Sequence, residues 1–237
     1  MSAAPFSVSV VVPIYNEVEL TEPSLRTIHA FLQRHTDDFE IVIVESGSTD
    51  ATGSICDRVA AELSHTRVLH EGQRNGMGAA LRLGYENAQK NYVWLVTVDL
   101  PFPLEALLQA RPLLDTHDCV LSYRVGDKRS LPRLIQSACY ATLIKAMLGL
   151  PMKSVNSAFK LLSRDFVTEL PLISRGWFLD AELLYWIARK KLRFAEIGVP
   201  LIDRTAGQSS VTSSDWIKVI KELLAFKKAL RKRGIAT

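Results

Sequence analysis

Val10-Val11-Val12-Pro13-Ile14-Tyr15-Asn16-Glu17 and Ile41-Val42-Ile43-Val44-Glu45-Ser46-Gly47-Ser48-Thr49-Asp50 are two apolar runs that each end in a polar turn. Strands that are apolar on both faces and alternate with helices belong to a parallel sheet buried on both sides. Such sheets bind ligands beyond the carboxyl ends of their strands. Tyr15, Glu17 and Glu45 therefore stand where a ligand is expected.

The pattern continues outward from these two runs. Strands are expected at about 7–13, 39–45, 66–70 and 92–98, alternating with helices at about 22–35, 50–63 and 77–89. After Asp99 come Pro101 and Pro103, then a short helix ending near 115, a strand at about 118–123 and a long helix at about 130–148. The second half departs from simple alternation. It reads as a short segment Phe159 to Leu162, a helix at about 178–190, an extended piece at about 193–202 and a basic amphipathic helix at about 214–233. No repeat, low-complexity tract or Gly/Ser/Pro linker interrupts the chain, so residues 1–237 are read as one domain, with a core at about 8–211.

Composition narrows the class. With 237 residues, 48% hydrophobic and 23% charged, the chain is long and apolar enough to bury one substantial α/β core. The net charge of +4 is concentrated near the carboxyl end, and no zinc-finger, RNP or helix-turn-helix spacing is present, so a nucleic-acid partner is not expected. Cys56, Cys119 and Cys139 are widely spaced and odd in number, which suggests neither a disulfide framework nor a zinc site and fits a reducing cytoplasmic compartment. MSAAPFS lacks the features of a signal peptide, and the apolar runs are broken before membrane-spanning length.

Several polar residues are candidates for chemistry. Carboxylates at Glu17 and Glu45 are placed to accept from base or ribose donors, with Pro13 as an apolar shelf beneath a ring. The same turns also contain Asn16, Ser46, Gly47 and Asp50, residues that cap helices and shape loops in any protein. Gly76 and Gly78 in Arg74-Asn75-Gly76-Met77-Gly78-Ala79-Ala80 permit close backbone approach, whether to a ligand or to the sheet. Asp99 follows the fourth strand and serves either as a metal ligand or as a turn cap. Asp180 in Gly176-Trp177-Phe178-Leu179-Asp180-Ala181-Glu182-Leu183 stands at a helix start.

In order, VVPIYNE, VESGSTD, RNGMGAA with Gly84, Thr97-Val98-Asp99, Ser122-Tyr123-Arg124, Arg133-x-x-x-Ser137, Val155-Asn156-Ser157-Ala158-Phe159-Lys160-Leu161, GWFLDAEL and Arg204-Thr205-Ala206-Gly207-Gln208-Ser209-Ser210 resemble the motifs of the family 2 glycosyltransferases. The third quarter is similar to the polyprenyl-phosphate branch, which includes dolichyl-phosphate mannose synthases. The resemblance spans about residues 8–211. It implies a GT-A fold, a Rossmann-like, mostly parallel sheet flanked by helices. It also implies a nucleotide-sugar site at Pro13, Tyr15, Glu17, Glu45, Gly47, Gly76, Gly78, Val98, Asp99, Arg204 and Ser209, and an acceptor-phosphate site at Arg124, Arg133 and Ser137. Asp99, Arg204 and Asp180 are the implied catalytic residues, with Asp99 holding Mg2+ or Mn2+. Thr97 replaces the first carboxylate of the usual Asp-x-Asp, which implies a weaker hold on the cation; Ser154 replaces a usual Asp and its catalytic or metal-organising role, and Ser210 a frequent Lys, which removes one positive charge from the lid over the donor.

The activity implied is inverting transfer of a hexose from a nucleotide diphosphate sugar, GDP-mannose or a UDP-sugar, to a polyprenyl or dolichyl phosphate. The enzyme would be peripheral at the cytoplasmic face of an anionic membrane, its basic terminal helix against the lipid. Two alternatives stay open at this point: a transferase acting on a soluble or protein hydroxyl with Asp180 or Glu182 as base, and a catalytically silent nucleotide-sugar binding protein.

Overall fold

The structure is a computed structural model that describes residues 6–126, 131–155, 158–174, 176, 178–200, 202 and 215–234, with side chains for all of these except 132, 133 and 215–220. Strands β1 (Val8–Ile14) and β2 (Phe39–Glu45) are buried at every residue. Around them stand β3 (Thr66–His70), β4 (Tyr92–Leu95), β5 (Cys119–Val125), β6 (Lys160–Ser163) and β7 (Phe194–Pro200). Among the described residues these form one sheet in the order β3-β2-β1-β4-β6-β5-β7. All neighbours run parallel except β6, which is antiparallel to both β4 and β5.

Side chains alternate across the central strands because successive Cβ atoms point to opposite faces. Val10, Val12, Ile41 and Ile43 pack with α1 (Val18–His35), α2 (Thr52–Glu62) and α4 (Ala106–Ala110). Val11, Val42 and Val44 pack with α3 (Met77–Asn87), α6 (Arg164–Thr168), α7 (Leu179–Arg189) and α8 (Asp215–Lys232). The remaining helix, α5 (Leu131–Leu148), joins this second layer through buried Ile144. The buried carboxylate of Glu40 sits away from the turns: Ser9 Oγ donates to it at 2.6 Å, the Gln89 amide at 2.6 Å, and Arg67 pairs with it at 3.2 Å.

Three differences from the sequence expectation have physical reasons. Helix α1 begins at Val18 rather than near 22 because the Glu17 carbonyl accepts both the amide and the hydroxyl of Thr21, at 3.0 and 2.7 Å, closing a turn ahead of Pro23. Strand β4 ends at Leu95, three residues short of the expected end. The Val96 amide still reaches the Val11 carbonyl at 3.1 Å, but the Leu100 amide then bonds the Thr97 carbonyl at 3.0 Å and Leu100 takes φ +42°, so Asp99 rides on a turn. A short helix over Arg164–Thr168, not foreseen, follows β6 directly.

Helix α3 lies so close to β1 that a Cβ at Gly84 would overlap Val11 Cγ1 and come within 3.3 Å of Val44. Both valines are fully buried, so neither can swing aside. Gly84→Ala is expected to destabilise the protein by about 1–3 kcal/mol through overpacking, read as a lower urea midpoint with an unchanged slope.

Candidate functional site

The first two polar turns are knitted into one surface. The Ser46 amide donates to the Ile14 carbonyl at 3.0 Å, the Asn16 amide to Ser48 Oγ at 3.1 Å, and the Thr49 amide to Asn16 Oδ1 at 2.9 Å. Thr52 Oγ1 accepts from the Glu17 amide at 3.0 Å, and Asp50 Oδ1 accepts from the Thr52 amide at 2.9 Å. The Thr52 hydroxyl and amide hold the Asp50 carboxyl below its ordinary pKa. Asn16 and Asp50 are thus committed to turn chemistry. Pro13 is buried in register with Val44, one residue inside the edge, so the ring at this edge is the half-buried Tyr15 rather than the shelf expected at Pro13.

Glu45 is buried yet polar in every contact. One carboxylate oxygen accepts the Ser48 amide, and the other accepts His70 Nδ1 at 3.0 Å. Burial raises its pKa, but the Ser48 amide and His70 outweigh that and hold it below the ordinary value. The other ring nitrogen of His70 meets Asp57 at 2.9 Å, and Glu45 first, then Asp57, raise the pKa of His70.

A loop after β3 roofs this surface. Gly47 has φ +68°, and a Cβ there would lie 2.7 Å from Gln73 Cα, so no larger residue fits under the loop. The loop carries Arg74 across to Tyr15, its guanidinium carbon 4.3 Å from the ring centroid. Gly76, at φ +94°, turns the chain into α3, and Gly78 is buried in the first turn.

Beyond β4, Thr97 Oγ1 donates to Asp99 Oδ1, and Ser24 Oγ donates to the carbonyl of buried Val98. Next to them lies a cleft of about 130 Å³ between β4, β6, α3 and α7, lined by Met77, Leu81, Leu95, Thr97, Lys160 and Asp180 among others. The Lys160 ammonium, 2% exposed, pairs with Asp180 at 3.0 Å. Glu182 is fully buried and accepts the Ile173 and Ser174 amides, each at 2.8 Å. A divalent cation of the Mg2+ class takes hard oxygen donors and keeps several waters. The Asp99 carboxylate beside the Thr97 hydroxyl suits such an ion with one protein carboxylate. Among the described residues no three His, Cys, Asp or Glu gather around a common point, so the remaining positions would fall to water and substrate phosphate.

Arg124 stands at the end of β5 and Ser137 on α5, both half-buried. Ser122 accepts the Phe159 amide at 3.1 Å and so joins β5 to the segment before β6. The Arg133 side chain, Arg204 and Ser209 lie outside the described residues. Two groups of the site were not singled out from sequence. In sequence Lys160 is only one member of the Val155–Leu161 motif, and its burial and its pairing with Asp180 appear on folding. His70 gives one signal only, its position at the carboxyl end of the third strand.

Residues 9–170 match the family described as glycosyl transferase family 2. Glycosyltransferase AglD of Haloferax volcanii is 32% identical over 84% of this chain, which spans only 33% of that protein's length. The dolichyl-phosphate beta-glucosyltransferase of Saccharomyces cerevisiae is 26% identical over 93% of this chain and 74% of its own. Polyprenol monophosphomannose synthase of Mycolicibacterium smegmatis is 25% identical over 87% of this chain and 81% of its own. Among solved structures, mannosyl-3-phosphoglycerate synthase from Rubrobacter xylanophilus matches with a TM-score of 0.72 at 16% identity, covering 97% of this chain and 75% of that one. Glucosyl-3-phosphoglycerate synthase from Mycobacterium tuberculosis, in complex with Mn2+ and UDP-glucose, matches with a TM-score of 0.68 at 22% identity, covering 98% and 80%. At these identities the structural matches speak to the fold, and it is the GT-A sheet described above. With about two thirds of its length matched by the family, this chain belongs to glycosyl transferase family 2 and is a glycosyltransferase.

Proposed function

We propose that the chain, as a single catalytic domain over residues 1–237, moves a hexose from a nucleotide diphosphate sugar to a polyprenyl phosphate with inversion. The observation that carries this reading is an arrangement along one edge of the sheet. The knitted turns with Tyr15, Glu17 and Glu45 offer a nucleoside seat, Asp99 and Thr97 stand one strand further at the expected diphosphate, and Arg124 lies across β6 on the acceptor side. Guanidinium groups suit that side because they pair with phosphate oxygens bidentately. The acceptor phosphate is already an anion and attacks the anomeric carbon as the bond to the diphosphate breaks. Positioning and leaving-group stabilisation are then the main tasks. A hydroxyl acceptor would need a base, whereas Glu182 is buried on two amides and Asp180 is paired with Lys160. A divalent cation bound through Asp99 would neutralise charge on the departing diphosphate.

Helix α5 supports a lipid acceptor. It exposes Leu131, Ile135, Cys139 and Leu143 at four-residue spacing, an apolar solvent-facing stripe on the helix that carries Ser137, a proposed acceptor-phosphate residue. Among the described residues no helix is long and apolar enough to cross a membrane, so contact with a bilayer would be peripheral. We place it at an anionic, cytoplasmic face. Helix α8 buries Leu223, Phe226 and Leu230 against its own domain, where Phe226 meets Phe178 and Tyr185, and leaves Lys228, Arg231, Lys232 and Arg233 exposed. Its basic side is thus available to anionic headgroups while Leu223, Phe226 and Leu230 are spent on the core and Leu224 stays exposed.

The decisive experiment follows transfer of labelled hexose from UDP-glucose or GDP-mannose into undecaprenyl or dolichyl phosphate vesicles; no lipid-linked product with either donor overturns the reading. Asp99→Asn is expected to lose most of that transfer with its melting temperature intact, and full activity in excess chelator would remove the metal from the mechanism. Arg204→Ala is expected to weaken nucleotide-sugar binding, and Arg133→Ala to raise the apparent KM for the lipid phosphate, each by about 10- to 150-fold for one lost charge-assisted contact. The full chain should sediment with anionic but not zwitterionic vesicles, and less so with added salt or with Lys227, Lys228, Arg231, Lys232 and Arg233 neutralised.

A further inference from the structure

His70 lies at the carboxyl end of β3 with both ring nitrogens on carboxylates, Nδ1 on Glu45 and Nε2 on Asp57. An ionised carboxylate only accepts, so satisfying both contacts requires two N–H donors, and an imidazole carries two only as the imidazolium. The neighbourhood favours that charge. The turn after β2 contributes Glu45 and Asp50, α2 contributes Asp57 and the buried Cys56 thiol, and the loop after β3 contributes Glu71, which accepts Ser46 Oγ at 2.6 Å. Among the described residues neither Glu45 nor Asp57 forms an ion pair with a Lys or Arg, so His70 is the cation that the two share. Gly53, in the first turn of α2, faces the Glu45 carboxylate, so Glu45 lies between helix and histidine.

We propose that His70 is a positioning residue for the donor site: as an imidazolium clamped by Asp57 it holds Glu45, and through Glu45 the turn carrying Gly47 and Ser48, in the arrangement that receives the nucleotide sugar. This rests on the nucleotide-sugar reading above. When His70 loses its proton, one of its two carboxylates loses a donor, and Glu45 and Asp57 are left without the cation between them. The turn loosens, and the edge that meets an anionic diphosphate sugar becomes more negative. The direction follows from the contacts. Glu45 and Asp57 raise the pKa of His70, so its contribution is complete at pH values below that of a free histidine and is lost as pH rises through the raised value.

Isothermal titration of the full chain with UDP-glucose and with GDP-mannose, from about pH 5.5 to about pH 8.5, tests this, because the diphosphate of a nucleotide sugar has no group that titrates in this window. The sugar that binds is expected to weaken at least about fivefold across the range. Asp57→Asn keeps a hydrogen-bond acceptor but removes a charge from an exposed position outside the donor seat. It should retain the low-pH affinity and move the midpoint to lower pH. His70→Gln should bind weakly at all pH values with a flat profile; thermal melts check its fold, and Asp57→Asn carries the test if that fold is lost. A purely structural histidine would not produce a midpoint that moves with Asp57. A flat profile for the unaltered chain, or a midpoint unmoved by Asp57→Asn, overturns the proposal and leaves the function standing. Failure of both sugars to bind at any pH overturns the nucleotide-sugar reading and this proposal with it.

Discussion

Complete burial of the β1–β2 pair is the constraint on which the rest of the molecule depends. Every residue from Val8 to Ile14 and from Phe39 to Glu45 is enclosed between two helical layers. Polar chemistry inside such a pair must be matched group for group, as Ser9, Glu40, Arg67 and the Gln89 amide are at the end remote from the turns. Polar side chains free to meet a ligand gather where these two strands run out. At the carboxyl ends, the Ser46 amide on the Ile14 carbonyl and Asn16 on Ser48 and Thr49 fasten two adjacent turns together. The surface built there is therefore firm before any ligand arrives, and a firm surface loses less entropy on binding.

Buried charge divides into two kinds. Glu182 serves architecture: its oxygens take the Ile173 and Ser174 amides, with Trp186 Nε1 3.4 Å away, so the segment ahead of α7 is pinned to that helix. Lys160 with Asp180 and His70 with Glu45 are different, because each pairs an enclosed group with a more exposed partner at the ligand edge. A charge held in low dielectric beside a cleft acts strongly on whatever enters, and its cost of burial is offset only while its partner stays in place. Glycines mark where backbone must approach closely. Gly84 admits α3 against Val11, and Gly47 admits the loop that brings Arg74 over Tyr15.

Much of this was legible in the chain itself. Apolar runs ending at Asn16-Glu17 and Glu45-Ser46-Gly47, repeated at a spacing that leaves room for helices, determined a parallel α/β sheet with its polar turns on one edge, because only a strand buried on both faces is apolar at every position. The ordered motifs pointed to the family, which residues 9–170 match. What tertiary structure alone decided are relations between residues distant in sequence. β6 slots antiparallel between β4 and β5, a pairing that no local pattern encodes because a four-residue strand with only Leu161 and Leu162 apolar carries no signal of its direction. The turn at Thr97–Leu100 replaces the end of a strand because a backbone bond and a left-handed residue outweigh the apolar run. Pro13 withdraws into the sheet and Tyr15 takes the edge because register with β2 places one on Val44 and leaves the other one residue past the last pair. His70 gains a raised pKa, and the buried Lys160 a carboxylate partner, only when folding brings carboxylates from another strand or helix to hydrogen-bonding distance. A side chain's charge state is a property of its surroundings, and those surroundings do not exist until the chain has folded.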